Sequence, residues 1–250
     1  MIESRRILGV RVDATDYATA KDLVITWAEE GRPCYVCLGA VNNIMEARDS
    51  PAYRRVMEQA ALVTSDGMPL VWLLRALGIR KATRVYGPSL TSAVLADAAH
   101  KAVPVGFYGG SERVLARLLS MARMRFPGLN IVFAESPPFR TLTTEEDERI
   151  TGDIIASGAR ILFVGLGSPK QDRWMSSHRD RLSCVMLGVG AAFDFLSGTK
   201  PQAPAWMQRN GLEWVFRLAT EPRRLWRRYL KQNPRFAVLA FAQLLRTRFL

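Results

Sequence analysis

Four polar or glycine-rich turns follow apolar runs of this sequence, and they carry the residues best suited to chemistry. Asp66 comes directly after the run Leu62-Val63-Thr64 and directly before Gly67. A carboxylate in such a turn can act as a general base on a hydroxyl group. Asp is also favoured as a helix N-cap and in tight turns, so a purely structural role is the alternative.

The second turn is the pair Gly109-Gly110, which precedes Ser111, a favourable helix N-cap. Backbone N–H groups at the start of a helix can hold a phosphate or a ribose. A plain tight turn explains the same two glycines equally well.

The third turn, Gly165-Leu166-Gly167-Ser168, leads through Pro169 into Lys170 and Gln171. A cation and an amide donor in the first turn of a helix favour an anionic ligand. The glycine spacing matches neither G-x-G-x-x-G nor a P-loop, which argues against conventional dinucleotide or ATP binding.

The fourth turn runs from Gly188 to Asp194, whose carboxylate could accept hydrogen bonds from a ribose or a sugar or could cap a helix. Arg84 stands before Tyr86-Gly87-Pro88, at the start of another predicted helix. An arginine there either binds a diphosphate bidentately or simply decorates the surface.

A dense cationic and aromatic cluster occupies residues 214–231. Its members are Trp214, Arg217, Arg223, Arg224, Trp226, Arg227, Arg228, Tyr229 and Lys231. Residues 201–250 hold ten Lys and Arg and two Glu, a net charge of +8 out of +12 for the whole chain. Such a surface suits lipid headgroups and lipid pyrophosphates, and it would also suit RNA.

Short apolar runs alternate with helical periodicity over most of the chain. The runs predict strands at 7–12, 34–38, 61–64, 103–108, 130–134, 160–164 and 184–187, and the periodicity predicts helices at 16–30, 42–60, 69–77, 88–101, 111–126, 144–157 and 169–180. This alternation is typical of a Rossmann-like α/β fold, with a mostly parallel sheet and helices on both faces. Ligands of such sheets bind beyond the carboxyl ends of the strands, where all four turns would lie.

After Gly190 the alternation stops and helical segments are separated by prolines. We expect an α/β core at 1–195 and a basic C-terminal helical appendage at 196–250. Six apolar residues of the last segment share one helix face: Ala237, Val238, Phe241, Leu244, Leu245 and Phe249. A basic amphipathic helix of this kind either lies in a membrane interface or docks on its own core or on another subunit.

The composition, with 48% hydrophobic residues in 250, is that of a folded globule. Cys34 and Cys37 lie within an apolar run, and with Cys184 they make an odd number, so we expect core thiols. With only His100 and His178 as further soft ligands, a zinc site is poorly supplied and no metal is expected.

No apolar signal segment follows residues 1–6, and no apolar run reaches the roughly 18 to 20 residues of a spanning helix. The sequence therefore predicts a cytoplasmic protein whose membrane contact is peripheral.

Taken in order, these motifs resemble those of the WecG/TagA/CpsF glycosyltransferases, glycosyltransferase family 26. The matching segments are Arg48-Asp49-Ser50-Pro51, Ser65-Asp66-Gly67-Met68-Pro69, Arg84-Val85-Tyr86-Gly87, Phe107-Tyr108-Gly109-Gly110, residues 167–174, residues 188–194, Gly211-Leu212-Glu213-Trp214 with Arg217, and Glu221-Pro222-Arg223-Arg224. They cover nearly the whole chain.

The resemblance implies an inverting transferase without metal or other cofactor. It would move a sugar from a UDP-sugar to a polyprenyl-diphosphate-linked acceptor during synthesis of a bacterial surface polysaccharide or exopolysaccharide. By the same resemblance Asp66 is the catalytic base, Arg84 and Gln171 contact the substrate or its diphosphate, and Asp194 lies near the nucleotide. The appendage docks on the inner face of the cell membrane and adds Arg217 and Arg224 to the site.

The chain departs from the family pattern after the second strand, where many relatives have Thr-x-Asn. Leu38 and Ala40 occupy those positions here, and Asn42 follows shortly after. The polar contact with the acceptor is therefore lost or moved to Asn42. Asp172 replaces the more usual Glu, which is a milder change.

These expectations together describe a direct displacement. Asp66 takes the proton of an acceptor hydroxyl as the oxygen attacks the anomeric carbon, while arginines and helix N-terminal amides stabilise the departing UDP. N-acetylmannosamine, N-acetylmannosaminuronate and glucose are all compatible as the transferred sugar, and a homo-oligomer is compatible with the pattern.

Two other classes of function explain part of the sequence. One is a basic α/β protein that binds nucleic acid without catalysis, but the chain has no RRM, KH or helix-turn-helix pattern, so we expect no nucleic-acid partner. The other is a membrane-associated nucleotide sensor that has lost turnover, which the joint presence of Asp66 and Gln171 disfavours.

Overall fold

The computed structural model describes residues 2–249 and shows an α/β fold followed by C-terminal helices. The strands are β1 (Ser4–Ile7), β2 (Val10–Asp13), β3 (Cys34–Gly39), β4 (Leu62–Ser65), β5 (Val105–Gly109), β6 (Ile131–Glu135), β7 (Ile161–Gly165) and β8 (Val185–Gly188). The helices are α1 (Tyr17–Glu29), α2 (Val41–Asp49), α3 (Pro51–Gln59), α4 (Met68–Ala76), α5 (Gly87–His100), α6 (Glu112–Arg125), α7 (Thr144–Ser157), α8 (Lys170–His178), α9 (Ala192–Leu196), α10 (Ala205–Arg209), α11 (Glu213–Thr220) and α12 (Pro222–Phe249).

The main sheet has six strands in the order β4-β3-β8-β7-β5-β6, and all neighbouring strands are parallel. The central strands β3, β8, β7 and β5 are buried almost throughout, because helices cover both faces. Strands of this kind are continuous apolar runs in the sequence, which is why they could be found there. The predicted α/β fold with a mostly parallel sheet is confirmed.

The core consists of two apolar layers, one on each face of the sheet. Helices α2, α3, α4 and α8 pack in one layer, and α1, α5, α6 and α9 pack in the other. Strands β3 and β7 lead into the first layer, whereas β5 and β8 lead into the second. Since these strands are neighbours, their loops diverge at the carboxyl ends and leave a crevice above the middle of the sheet.

The single strand expected at 7–12 is wrong. Strands β1 and β2 instead form a separate antiparallel hairpin, joined by Leu8 and Gly9. Both turn residues have positive φ, 49° at Leu8 and 87° at Gly9, as tight two-residue hairpins require. Leucine rarely adopts this backbone conformation, so only Gly9, and not Leu8, indicates a turn in the sequence.

The single helix expected at 42–60 is also wrong, because α2 and α3 are separated at Ser50. The Ser50 hydroxyl accepts a hydrogen bond from the backbone N–H of Tyr53, 3.2 Å away, and Pro51 opens α3. Proline needs no N–H partner in the first turn of a helix, and serine is a preferred N-cap. The break brings Tyr53 beneath the crevice.

Helix α12 is fastened to the core along one edge. Phe236 and Ala240 are buried in the first apolar layer. The Gln243 side chain accepts a hydrogen bond from the backbone N–H of Leu8 at 2.8 Å and donates to the carbonyl of Arg6 at 2.7 Å. The hairpin therefore contributes to holding the last helix.

The other apolar edge of α12 is open. Val238, Phe241 and Leu245 are exposed, so the face expected from the sequence is divided between the core and the surface. The expected member Phe249 lies outside the residues whose side chains are described. No helix within residues 2–249 is long and apolar enough to cross a membrane.

The three cysteines Cys34, Cys37 and Cys184 are buried and form no disulfide. They pack in the two apolar layers, as expected for core thiols. Burial raises the pKa of the Cys34 thiol to about 11, which keeps it protonated and unreactive at neutral pH.

Candidate active site

A cavity of about 1120 Å³ opens above the carboxyl ends of the strands and is lined on its outer side by residues of α11 and α12. Nine of the ten residues expected at the site line it: Asn42, Asp66, Arg84, Gly110, Gln171, Gly188, Asp194, Arg217 and Arg224. The four turns and the basic C-terminal segment, separate in the sequence, thus meet in one place.

Asp66 enters the cavity directly from the end of β4. Its backbone N–H donates to the carbonyl of Gly39 at 2.8 Å, which fixes the turn. The N-cap of α4 is Gly67, and no side chain caps this helix, so the Asp66 carboxylate does not act as a helix cap. Its side chain is 25% exposed, which leaves the carboxylate accessible from the cavity.

Arg84 joins Asp66 to the C-terminal segment. Its Nη2 lies 2.6 Å from Oε2 of Glu213 and 3.5 Å from Oδ1 of Asp66, and its Nε donates to the backbone carbonyl of Asp66. The guanidinium also stacks on Tyr86, with 4.3 Å between the guanidinium carbon and the ring centre. Arg84 is therefore a component of the site rather than a surface residue.

The carboxyl group of Asp66 has a pKa raised to about 6. Burial is the largest cause, since it disfavours the charged form, and the negative charge of Glu213 acts in the same direction. The positive charges of Arg84 and Arg217 oppose both. A carboxylate with such a pKa is still ionised at pH 7 and is a stronger base than an ordinary aspartate.

A second charged cluster lies on the other side of the cavity. Lys200 Nζ is 3.1 Å from Oδ2 of Asp194 and 3.3 Å from Oε2 of Glu221, which also pairs with Arg224 at 2.9 Å. The N-cap of α9 is Ala191, so Asp194 does not act as a helix cap. Sequence reasoning missed Lys200, although it stands in the basic segment.

The Gly109-Gly110 turn serves packing more than ligand binding. Gly109 has a φ of +122°, and a Cβ there would lie 2.6 Å from the carbonyl carbon of Gly165. The N–H of Gly110 donates to the carbonyl of Gly165 at 3.1 Å, so it is not directed at a ligand. Gly110 lines the cavity, whereas Gly109 does not.

Gln171 and Gly188 occupy the floor of the cavity and depend on each other. The Gln171 side chain is buried and accepts a hydrogen bond from the N–H of Gly167 at 3.0 Å. A Cβ at Gly188 would lie 2.9 Å from Nε2 of Gln171 and 2.6 Å from Cε of Met175. Only glycine leaves room for the amide there. Lys170 is exposed and outside the lining, so the cation expected beside Gln171 does not reach the site.

A buried polar network that the sequence does not predict lies next to the cavity, and two of its members, Asn43 and Ser168, line the cavity. Tyr53 donates its hydroxyl to Oδ2 of Asp172 at 2.6 Å. Asn43 Nδ2 donates to the Tyr53 hydroxyl at 2.9 Å and to Ser168 at 2.8 Å. Asp172 is fully buried, and burial raises its pKa. The network ties α2 and α3 to the loop after β7 and to α8. The available signal in the sequence is an acidic residue on the buried face of α8.

The two neighbouring asparagines at the start of α2 have different surroundings. Asn43 is buried, and its Oδ1 accepts a hydrogen bond from the N–H of Ala40 at 3.2 Å. Asn42 is half-buried and lines the cavity together with Leu38 and Ala40. Asn43 also lines the cavity, but its side chain is engaged in hydrogen bonds with Ala40, Tyr53 and Ser168, so Asn42 is the asparagine placed to meet a ligand.

The outer wall of the cavity is apolar. It is formed by side chains of α4 on one side and of α12 on the other: Trp72, Leu73, Ala76, Leu225, Phe236, Phe241 and Leu244. Charged groups line the floor near the strand ends, so the cavity suits a ligand with an anionic part and a hydrocarbon part.

A crevice at the ends of parallel strands, holding cations and a carboxylate of raised pKa, defines the class of α/β enzymes that act on phosphorylated or nucleotide-linked substrates. Within that class the assignment is specific. The model of the Glycosyl transferase WecG/TagA/CpsF family matches residues 5–249, and the chain belongs to this family. It is a glycosyltransferase, and the resemblance seen in the motifs is confirmed.

One curated relative is named N-acetylglucosaminyldiphosphoundecaprenol N-acetyl-beta-D-mannosaminyltransferase and comes from Bacillus spizizenii. It is 28% identical to this chain over 220 residues, which are 88% of this chain and 83% of the relative.

Proposed function

We propose that the protein transfers an N-acetylhexosaminyl group from a UDP-sugar to a polyprenyl-diphosphate-linked acceptor in the synthesis of a bacterial surface polysaccharide. The observation that carries the proposal is the placement of Asp66, with its pKa of about 6, beside Arg84 in a cavity with a cationic floor and an apolar wall. The name of the Bacillus relative, which combines a lipid diphosphate acceptor with an N-acetylmannosaminyl group, supports this choice of substrates.

In the proposed reaction Asp66 accepts the proton of an acceptor hydroxyl while the hydroxyl oxygen forms a bond to the anomeric carbon. The bond between that carbon and the β-phosphate oxygen breaks, and UDP leaves with the electron pair. Because attack comes from the face opposite the leaving group, the anomeric configuration inverts. General-base assistance of this kind is worth about 10² to 10⁴ in rate.

Cationic side chains offset the charge of the departing diphosphate in this mechanism. Arg84, Lys200, Arg217 and Arg224 all line the cavity. Arg217 lines the cavity, and its buried Nε has no hydrogen-bond partner among the described residues. Residues 2–249 contain no group of three His, Cys, Asp or Glu side chains that could hold a metal ion. Because the four cations can offset the charge of the departing diphosphate, we propose that transfer is independent of metals.

The lipid part of the acceptor lies, in this proposal, along the apolar wall between α4 and α12. The exposed residues Trp226, Leu230 and Val238 of α12 face the inner leaflet of the membrane, and Arg227 and Lys231 meet its anionic headgroups. Residues 1–195 act as the catalytic core and residues 196–250 as the appendage that docks peripherally on the membrane.

A transfer assay with purified protein tests the proposal. UDP-N-acetylhexosamines are offered with a short-chain polyprenyl diphosphate N-acetylglucosamine, in buffer with and without EDTA. We expect a disaccharide product, and NMR should show that the anomeric configuration of the new linkage is inverted relative to the UDP-sugar. The rate of product formation should be the same with and without EDTA. Absence of transfer from every UDP-sugar contradicts the substrate class. Activity lost in EDTA and restored by Mg²⁺ or Mn²⁺ contradicts metal independence.

A further inference from the structure

Glu213, the first residue of α11, lies at the charged centre of the cavity without a role in the reaction above. Its Oε2 is 2.6 Å from Nη2 of Arg84, and both side chains are largely buried, 13% and 15% exposed. The same Nη2 is 3.5 Å from Oδ1 of Asp66. One guanidinium nitrogen therefore faces two carboxylates and lies much closer to Glu213.

This asymmetry matters for proton transfer. A bidentate pair between Arg84 and Asp66 would occupy both carboxylate oxygens and favour their charged form, which weakens a base. In the structure, Glu213 takes the close contact at 2.6 Å, Arg84 donates its Nε to the backbone carbonyl of Asp66, and the contact between the two side chains stays at 3.5 Å. The carboxylate of Asp66 keeps an oxygen for the acceptor hydroxyl.

We propose that Glu213 is a positioning residue for the transfer reaction: it holds the Arg84 guanidinium beside Asp66 while preventing the two from forming a closed ion pair. This inference rests on the proposed role of Asp66 as the base. It assigns to the C-terminal segment an acidic contribution to the site, in addition to its arginines.

The other charged and titratable groups around Asp66 are few. Tyr86 lies under the Arg84 guanidinium, and its buried hydroxyl has no hydrogen-bond partner among residues 2–249. Arg217 follows Glu213 by four residues on α11, so both side chains lie on the same face of that helix and line the cavity. Of the groups that act on the Asp66 carboxyl, Glu213 is the one that raises its pKa by charge, while Arg84 and Arg217 lower it.

The chain supplies a matched control. Glu213 and Glu221 are the two acidic residues of segment 201–250. Glu213 lines the cavity, and Glu221 contacts two cations that line it. Glu221 pairs with Lys200 and Arg224 instead of Arg84. Replacing either glutamate by glutamine removes one negative charge from the same segment, but only the change at Glu213 releases Arg84.

The test compares Glu213→Gln with Glu221→Gln in the full chain, by kcat as a function of pH and by UDP affinity in calorimetry. For Glu213→Gln we expect kcat at pH 7 to fall about 10-fold to 100-fold, the range that follows from losing one hydrogen bond between charged groups. The acid limb of the kcat profile should move to lower pH by about one unit, since a like charge is removed. The Kd for UDP should not increase.

Glu213→Asp restores the charge, and we expect it to bring the acid limb back toward the wild-type position. We expect Glu221→Gln to leave the limb where the wild type has it. A limb that stays in place or moves upward in Glu213→Gln overturns the proposal, and so does an equal shift in both glutamine variants. If Asp66→Asn retains normal turnover, the assignment of the base fails; if it loses turnover while Glu213→Gln keeps the wild-type limb, only the role of Glu213 fails.

Discussion

The parallel sheet and the C-terminal helices meet at the same cavity but are held in place by different forces. The strands that lead to the candidate site are buried on both faces, and hydrogen bonds around Asp172 connect α2 and α3 to α8 and to the loop after β7. In contrast, α10 and α11 bury none of their residues completely. Their connections to the core include ion pairs such as that between Glu213 and Arg84.

The contrast suggests different roles for the two regions: the sheet positions the proposed base, and the C-terminal helices supply charged groups for binding. A base needs a fixed position, and the end of a buried strand provides one. Apart from Arg84, the cations proposed to meet a diphosphate lie within residues 196–250. Glu213 pairs with Arg84, and Glu221 pairs with Lys200 and Arg224. We therefore expect changes in the sheet to alter stability and changes in the C-terminal helices to alter binding.

The largest effect on stability is expected for Phe163→Ala in β7. Phe163 is fully buried and stacks on Phe107, with ring centres 5.4 Å apart. Truncating a buried phenylalanine typically costs about 3–5 kcal/mol. The midpoint of thermal unfolding should fall by roughly 2–4 °C for each kcal/mol, as measured by scanning calorimetry. A loss of less than about 1 kcal/mol in the free energy of unfolding would contradict the view that burial in the sheet stabilises this region.

A smaller, pH-dependent effect is expected for Asp66→Asn. Because the folded-state pKa of Asp66 is raised from 3.8 to about 6, its contribution to stability is fully present below pH 4 and is lost as the pH rises through 6. Asparagine does not titrate. The variant should therefore gain stability over the wild type between pH 4 and pH 8, by at most about 3 kcal/mol.

Calorimetry of both proteins at several pH values checks this expectation. A difference in unfolding temperature that is constant across the range would contradict a raised pKa at Asp66. A difference that shrinks with rising pH would mean that the arginines outweigh burial.

The smallest effect on stability is expected at the open edge of α12. Phe241 is 63% exposed, so Phe241→Ser should change the free energy of unfolding by less than about 0.5 kcal/mol. Binding to anionic phospholipid vesicles, measured by sedimentation, should nevertheless decrease. Ile155→Ser is the matched control, since Ile155 is an exposed apolar residue on α7. Equal loss of vesicle binding in both variants would contradict membrane docking through α12.

Much of the fold could be predicted from local sequence. The six strands of the main sheet are apolar runs bounded by turns, so their positions were recognisable within a few residues. The hairpin of β1 and β2 was not, because Leu8 at positive φ has no sequence signature. The separation of α2 from α3 has a local signal in Ser50-Pro51, since serine caps a helix and proline opens one.

From the residue pattern alone, the meeting of the site residues was predictable where it depends on strand ends, whereas the family resemblance supplied Arg84, Arg217 and Arg224. Asp66, Gln171 and Gly188 follow predicted strands, and their convergence follows from a parallel sheet. The pairs that tune these residues are distant in the sequence: Tyr53 and Asp172 are 119 residues apart, and Arg84 and Glu213 are 129 apart. Local patterns carry no information on such contacts, which exist only once the chain has folded.

The identity of the base is the central claim, and the kcat of Asp66→Asn at saturating substrates tests it most directly. Asp194→Asn serves as the control, because it neutralises the carboxylate on the other side of the same cavity. We predict that Asp66→Asn lowers kcat by about 10² to 10⁴ while its circular dichroism spectrum is unchanged, and that Asp194→Asn lowers kcat far less. A folded Asp66→Asn variant with near-normal kcat would contradict the account.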